Sequence, residues 1–157
     1  MRSLKFFWSS VAAASVCIEP AAAVTNTVTF SGTVNAACTI NIKNGTGALT
    51  TNGALNTLSS KNVGGSPAEV ELVTTGGVRI SLDPVSGVTV PAADLTPTTW
   101  LPTYELRGVQ NVDETGAPTL MTAAGTRTMK VHLAGSKAAA DTFSNGPYSA
   151  TVTLRCE

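Results

Sequence analysis

The sequence predicts an all-β protein in which two sheets pack face to face, and three observations lead to this prediction. Threonine is abundant, and its branched β-carbon fits a pleated surface better than a helix. About seven or eight short runs alternate apolar with polar residues, as half-buried strands do. Glycine, proline and asparagine separate these runs at short intervals, a pattern typical of a β-sandwich and not of parallel βαβ units.

An export signal precedes the predicted domain. Arg2 and Lys5 supply positive charge, and the apolar run that follows, residues 6–18, is too short to span a bilayer. Residues 21–23 are alanines, the small residues that a signal peptidase accepts before its cleavage point. We therefore expect residues 1–23 to be removed.

The remaining residues, 24–157, are enough for one domain with a hydrophobic core and too few for two. An uncleaved membrane anchor and a lipoprotein signal that uses Cys17 are the other interpretations of the N-terminus. Only 13% of the residues are charged, and the 10 basic and 10 acidic side chains are scattered along the chain. Because clustered basic residues dominate the attraction to nucleic acids, we expect no nucleic-acid partner.

Two cysteines, Cys38 and Cys156, remain after the signal is removed. An exported chain folds in an oxidising compartment, so we expect these two thiols to form a disulfide. In the chain-entropy model, closing a loop of about 100 residues stabilises a protein by about 4.7 kcal/mol. Two unpaired buried thiols, or a bridge between two chains, are the alternatives.

The first predicted strand follows directly on the export signal. Val28, Phe30, Val34, Cys38 and Ile40 share one parity in the sequence. In a strand their side chains would therefore face one side, and the threonines between them would face the other. This segment is expected to form an edge of the domain.

The middle of the chain predicts loops and a hairpin. Residues 44–65 are rich in Gly, Asn, Thr and Ser, which indicates a long loop with one weak strand near residues 55–58. Apolar residues alternate again over 70–72 and over 78–82, on either side of a Gly-Gly pair. Either two strands form a hairpin there, or one strand bends at a bulge, and we favour the hairpin.

The next elements are short strands. Residues 100–106 alternate, but Pro102 lies among them and has no N–H to donate, so this strand should lie at an edge or contain a bulge. Further short strands are expected at residues 87–90, 119–122 and 129–133.

The last strand has the cleanest alternation in the chain, over residues 148–156, with apolar side chains at every second position. Residues 136–142, which contain three alanines, are the one segment expected to form a helical turn. Because the first and last strands both carry their cysteine on the apolar side, a buried cross-link between them is geometrically reasonable.

Both ends of the chain resemble one family. Residues 27–34, T-V-T-F-S-G-T-V, followed by the segment 35–38 that ends in a cysteine, resemble the opening of fimbrial subunits assembled by the chaperone–usher route. Those subunits begin with a strand of the form T-V-x-F-x-G-x-V. Residues 146–154, in which G-x-Y precedes an alternating strand, look like the last strand of such pilins and of the related spore coat protein U group.

The resemblance implies an immunoglobulin-like, pilin-type β-sandwich that lacks one strand. A strand from a periplasmic chaperone, and then one from the neighbouring subunit, would complete it, since an unpaired edge and an open apolar groove are both costly. By this resemblance the groove is bordered by Tyr148, Ala150, Val152 and Leu154. The donor would begin at Val24 and present Val28, Phe30 and Val34. Either this first strand is itself donated, or the chain is a self-completed relative that does not polymerise.

Catalytic chemistry is not expected. His132 is the only histidine, and since Val131 and Leu133 should face the core, His132 should point to solvent. A serine hydrolase needs a base that is oriented by a carboxylate beside the nucleophile, and the chain has no G-x-S-x-G turn. The acidic residues are isolated apart from two pairs, so we expect no metal and no cofactor.

We therefore expect a non-catalytic structural subunit of a bacterial surface fibre, a fimbria or pilus, that acts in adhesion or biofilm formation. Its expected partners are like subunits, a periplasmic chaperone and an outer-membrane usher, with no small-molecule substrate. It would pass through the periplasm to the cell surface or be secreted. The alternative is a self-completed monomeric module that binds a glycan or a protein. Trp100, Tyr104 and Tyr148 would then form a sugar-binding platform, although core packing is the commoner use of aromatic residues.

Overall fold

The computed structural model describes residues 25–138 and 140–157, and within them all regular structure is β. The strands, in chain order, are β1 (Cys38–Asn44), β2 (Thr50–Thr51), β3 (Thr57–Ser59), β4 (Ala68–Thr74), β5 (Val78–Leu82), β6 (Ser86–Thr89), β7 (Thr99–Gly108), β8 (Val112–Thr115), β9 (Thr119–Met121), β10 (Gly125–Ser136), β11 (Ser149–Thr151) and β12 (Leu154–Cys156). The prediction of an all-β protein is therefore confirmed. The described residues contain no helix that could cross a bilayer.

The strands form three sheets, and every pairing between them is antiparallel. The largest sheet has seven strands and is built around β10, which pairs with β7 on one side and with β4 and then β3 on the other. β1 extends it beyond β4, β2 beyond β3, and β8 beyond β7. A three-stranded sheet has the order β12-β5-β9, and β11 pairs with β6 in a two-stranded sheet.

One hydrophobic core joins the large sheet to the three-stranded sheet. Its buried members come from β4, β7 and β10 of the first and from β5 and β9 of the second: Val70, Leu72, Val78, Ile80, Tyr104, Leu106, Met121 and Met129. They recur at every second position because successive side chains of a strand point to opposite faces. Burying an apolar side chain of this size contributes about 1.5–3 kcal/mol, so these residues hold the two sheets together.

The chain divides into two units after Gly32, and every strand lies in the second, Thr33–Glu157. In the first unit, the described residues 25–32 form no strand and are exposed, and 91% of Phe30 is accessible to solvent.

The first predicted strand is shorter than its alternation suggested. It begins at Cys38, and residues 25–37 form no strand. The reason is the lack of a neighbour: β4 ends opposite Cys38, where Cys38 pairs with Thr74. Beyond it, the Ala37 amide donates to Thr75 Oγ1 at 2.7 Å, and the chain then turns away through Gly76 and Gly77. Alternation predicts a strand only where a second strand is available.

The predicted hairpin of β4 and β5 is wrong, although both strands exist. β4 pairs with β1 and β10 in the large sheet, whereas β5 pairs with β9 and β12 in the three-stranded sheet. Between them Gly76 and Gly77 have φ of 85° and 75°, a left-handed conformation that glycine adopts without strain. These two residues carry the chain from one sheet to the other. Both strands then bury apolar residues in the same core.

The segment 136–142, predicted to form a helical turn, contains a hydrogen-bonded turn, in which the Asp141 amide donates to the Ala138 carbonyl at 2.9 Å, but no helix among its described residues. Ser136 is the last residue of β10, and no helix occurs at the positions of this segment that the structure describes. The Lys137 amide donates to the Asn56 carbonyl, and its side chain is buried in a polar cluster described below. These tertiary contacts outweigh the helical propensity of alanine. Pro102, by contrast, lies where β8 no longer pairs with β7, so the predicted edge position is correct.

Arg127 is the one large polar side chain at the end of the core, and it is only 1% exposed. Its Nη1 donates to Thr74 Oγ1 at 2.8 Å and its Nη2 to the Ala123 carbonyl at 2.5 Å, while Nε has no partner. Burial lowers the pKa of this guanidinium, and no salt bridge to Arg127 is found among the described residues. A buried charge without a counter-ion is costly.

We expect Arg127→Met to raise the free energy of unfolding by about 1–3 kcal/mol, because an apolar side chain of similar length fills the site without desolvating a charge. Urea denaturation of both proteins measures this difference. Arg107→Met is the control, since Arg107 forms exposed pairs with Glu105 and Asp113 that should contribute less than about 1 kcal/mol. A clear loss of stability in Arg127→Met would contradict the prediction.

Candidate functional site: an apolar groove between two sheet edges

A groove of about 710 Å³ lies beside the filled part of the core. One side of it is formed by apolar residues of the large sheet: Ile40, Ile42, Leu58, Val70, Val131 and Leu133. The opposite side is formed by Leu82 of β5 and by the C-terminal segment, through Tyr148, Ala150, Val152 and Leu154. We call this feature the groove, and residues 148–154 its C-terminal wall.

The groove is an unfilled continuation of the hydrophobic core. Val70 belongs to both, and Leu82, Val131 and Leu154 line the groove while they pack against the core. Ile42, in contrast, has an inward parity but is 70% exposed, because no side chain lies opposite it. Leu72, two residues after Val70 in β4, is fully buried. Large apolar residues left exposed in one contiguous surface mark an interaction site.

Unpaired strand edges flank the groove on two sides, β1 on one and β11 and β12 on the other. Among the described residues β1 pairs only with β4, and β11 and β12 pair only with β6 and β5. The other side of each of these strands has backbone N–H and C=O groups that no strand of the described chain uses. Edges of this kind are templates for an added strand. A strand that lay in the groove would find hydrogen-bonding partners beside it and apolar surface beneath it.

A disulfide joins the two edges at one end of the groove. Cys38, the first residue of β1, is bonded to Cys156, the last residue of β12, with their Cα atoms 6.3 Å apart. The predicted pairing is therefore confirmed. The bond closes a loop with a sequence separation of 118 residues, and it fixes the distance between the strands on either side of the groove.

A buried polar cluster anchors the wall near its other end. Lys137 Nζ donates to Asp94 Oδ1 at 2.5 Å and to the Thr96 carbonyl at 2.7 Å, and the hydroxyl of Tyr148 donates to Asp94 Oδ2 at 2.5 Å. Lys137 Nζ also lies 5.0 Å from the centre of the Phe143 ring, which meets Tyr148 edge to face. We call Asp94, Lys137, Phe143 and Tyr148 the Asp94 cluster.

The charges of this cluster shift the pKa values of its members. The hydrogen bond from Lys137, followed by that from Tyr148, lowers the pKa of Asp94, so its carboxylate is ionised. Burial, followed by the hydrogen bond to Asp94, raises the pKa of Tyr148 to about 12. The phenol therefore stays protonated and keeps donating to the carboxylate.

A second polar contact, between Ser60 and His132, was missed by the sequence analysis. His132 is half-buried, and its Nδ1 lies 3.1 Å from Ser60 Oγ, which also accepts the Leu133 N–H. The prediction that His132 points freely to solvent is wrong, because the turn after β3 folds back over it. Burial, and then the positive charge of Lys61, lower the pKa of His132. Ser60 and His132 are 72 positions apart in the sequence, so no local sequence pattern could predict their contact.

The chemistry that this pair can perform is limited by its surroundings. A nucleophilic serine needs its histidine oriented by a carboxylate. The nearby Glu114 instead accepts hydrogen bonds from Lys61 and Thr103, and no carboxylate within the described ranges is hydrogen-bonded to His132. The described residues also contain no group of three or more His, Cys, Asp or Glu side chains that could hold a metal ion.

The aromatic residues do not form an exposed platform. Tyr104 is fully buried in the core, where its hydroxyl donates to the Ala117 carbonyl at 2.8 Å. The Trp100 ring covers Gly135, at which a Cβ would lie 2.7 Å from the ring. Tyr148 lies in the C-terminal wall. These three side chains therefore serve separate packing roles.

The residues proposed for assembly fall in two places. Tyr148, Ala150, Val152 and Leu154 all line the groove. Val28, Phe30 and Val34 are exposed and outside any strand. Val24 lies outside the described residues.

Comparison with protein-family models, with curated proteins and with solved structures finds no match to this chain.

We expect the double change Cys38→Ser and Cys156→Ser to lower the free energy of unfolding by about 2–5 kcal/mol, because the unfolded chain regains the entropy that the closed loop removes. Urea denaturation of a chain that begins at Val24, and so lacks Cys17, measures this loss. The unchanged chain, treated with dithiothreitol, should behave like the double variant. Equal midpoints with and without the bond would refute the prediction.

Tyr148 should make stability fall in alkali. Its folded pKa of about 12 lies above the value of about 10 expected when the chain is unfolded. The phenol therefore contributes stability below about pH 10 that is progressively lost as the pH rises towards 12. The measurement is urea unfolding of the unchanged chain and of Tyr148→Phe from about pH 8 to about pH 12, a range that includes both pKa values. The gap in unfolding free energy should narrow above about pH 10, and a constant gap would count against this assignment.

Proposed function

We propose that this chain is a non-catalytic structural subunit of a bacterial surface fibre, and that its copies are joined by the addition of a strand. The observation that carries the proposal is the groove, an apolar surface that continues the core and is flanked by two edges with unused backbone hydrogen-bonding groups. An added strand would pair with the unused backbone groups of an edge. Its alternate side chains would at the same time cover the apolar surface of the groove.

The occupant that we propose is the N-terminal segment of a second copy, residues 25–34, which we call the arm. Its apolar residues, Val28, Phe30 and Val34, share one parity with Gly32, and polar residues alternate with them. Val28, Phe30 and Val34 are among the most exposed apolar side chains of the protein. Extended at about 3.3 Å per residue, the arm is long enough to lie along the whole of the seven-residue β1.

The expected gain from docking is large compared with a typical contact. Burying valine and phenylalanine side chains in the groove would contribute about 1.5–3 kcal/mol each, and would also cover Ile40 and Ile42. The backbone of the arm would pair with an edge strand, so the affinity would come from the main chain and the specificity from the alternate side chains.

In this proposal the fold is an immunoglobulin-like β-sandwich of the pilin type that lacks one strand. The large sheet would form one layer, and the three-stranded and two-stranded sheets the other. The missing strand would lie between β1 and the C-terminal wall. The resemblance of residues 27–38 and 146–154 to pilin strands supports this interpretation, although the second cysteine of this chain lies at its C-terminal end.

The proposal implies partners that cover the groove before assembly. A periplasmic chaperone would supply a temporary strand, and an outer-membrane usher would exchange it for the arm of the next subunit. The disulfide suits export to an oxidising compartment, first the periplasm and then the cell surface. A self-completed monomer, in which a chain fills its own groove, is the alternative that the following experiment separates.

The test mixes two chains that each begin at Val24. Phe30→Ser removes the largest apolar side chain of the arm, and Val152→Glu places a charge in the C-terminal wall. We expect the unchanged chain to form oligomers that grow with concentration, since each arm enters a neighbouring groove. Each variant alone should stay monomeric, whereas their mixture should give a one-to-one dimer, because one variant keeps an intact groove and the other an intact arm.

Sedimentation velocity measures these states, and Thr29→Ser, on the opposite parity of the arm, is the matched control that should oligomerise normally. A mixture that contains only monomers would overturn the proposal. If the unchanged chain is also monomeric but its arm amides are protected from hydrogen exchange, the self-completed alternative replaces it.

A further inference from the structure

The C-terminal wall of the groove is anchored at both ends by unrelated interactions. The disulfide fixes Cys156 at one end, and the Asp94 cluster fixes Tyr148 at the other. Between these anchors the wall pairs with β6 and β5 through short strands, and its apolar side chains line the groove. The apolar side chains of the wall are half-buried, and among them Leu154 packs against the core, so the two anchors act on a segment that the core holds at only one end.

The Asp94 cluster contains the most deeply buried ion pair of the described chain. The Lys137 side chain is 0% exposed and that of Asp94 is 1% exposed, whereas every other ion pair found there is partly open to solvent. Lys137 Nζ donates to Asp94 and to the Thr96 carbonyl, and both carboxylate oxygens of Asp94 accept hydrogen bonds.

Further contacts tie the residues before Tyr148 to the same connector that carries Asp94. Ser144 Oγ donates to the Ala93 carbonyl at 3.2 Å. Gly146, with φ of 140°, packs so closely on Pro91 that a Cβ would lie 2.7 Å from the proline ring. The entry to the wall is therefore fastened to residues 91–96, which are not part of the groove.

We propose that the Asp94 cluster is a positioning site that holds the C-terminal wall where it can accept a strand, so that the groove exists before its occupant arrives. This inference rests on the proposed function, since it concerns the same groove. Asp94 and Lys137 act through Tyr148, which is the one member of the cluster that forms a side of the groove and also bonds to the carboxylate.

A charged cluster suits this role better than apolar packing does. A buried ion pair adds little net stability compared with an apolar replacement, but its hydrogen bonds have fixed directions and lengths. With apolar contacts alone, the wall could move inward until Val152 packed against Ile42 and Val70, which would close the groove. An anchor with fixed geometry opposes this movement, and a site that is already in its bound shape binds more tightly because less ordering remains to be done.

The test uses a chain from Val24 that carries Phe30→Ser, so that its own arm does not compete, and a fluorescent peptide of residues 25–34 as the probe. Tyr148→Phe removes the hydroxyl that contacts Asp94 and the Ser144 carbonyl and keeps both charges of the cluster. Asp94→Asn combined with Lys137→Met removes both charges. We expect the peptide to bind about ten-fold more weakly to the double variant and several-fold more weakly to Tyr148→Phe, mainly through slower association, because the open wall is populated less often.

The matched control is Lys61→Met with Glu114→Gln, which removes another ion pair outside the groove and should leave peptide affinity unchanged. Hydrogen exchange provides a readout that a uniform loss of stability would not give: amides at residues 143–151 should exchange faster while those of β4 and β10 keep their protection. Tyr148→Phe keeps the test valid if the double variant does not fold.

The outcomes separate this inference from the proposed function. If the peptide binds to the intact cluster but equally well to Tyr148→Phe and to the folded double variant, the positioning role is refuted and the strand-addition proposal stands. If the peptide does not bind even when the cluster is intact, both are refuted. Weaker binding confined to the cluster variants supports both.

Discussion

An apolar groove of about 710 Å³ interrupts the packing between the large sheet and the C-terminal wall, and this opening beside the core constrains the rest of the structure. At the filled end Leu72, Ile80 and Leu106 are fully buried, whereas Ile42 on the same layer is mostly exposed. Such a surface would normally be removed by collapse, since covering apolar area is the main favourable term in folding. That it persists means that the strands on either side of it are held apart by other interactions.

Those interactions are of two kinds that do not depend on filling the groove. The disulfide between Cys38 and Cys156 acts on the ends of β1 and β12 whatever lies between them. The Asp94 cluster acts through directed hydrogen bonds, and its members are buried in a part of the molecule that has its own packing, with Phe143 against Tyr148 and Lys137. A covalent bond at one end and a buried ion pair at the other therefore fix the two sides of the groove independently of the apolar contacts between them.

The sequence predicted the class of fold and the disulfide but not how the strands pair. Alternation identifies a strand and its buried face, so the segments that became β4, β5 and β10 were recognised. It carries no information about the partner, which is why β4 and β5 were expected to pair with each other although Gly76 and Gly77 send them to different sheets. The Asp94 cluster joins Asp94, Lys137 and Tyr148 across 43 and 54 positions, and no local pattern announces contacts of that range.

The first segment of the chain shows what alternation does and does not decide. Residues 28–34 have the same pattern of apolar and small polar residues as β1, yet only β1 has a neighbouring strand, because β4 ends opposite Cys38. The arm therefore retains a capacity for pairing that its own position leaves unused. The groove, conversely, has apolar surface and two unpaired edges, but no strand of the described chain lies in it. In the proposed assembly, the unpaired arm of one copy supplies the strand that the groove of a second copy lacks, and the concentration of chains would then determine how many copies are joined.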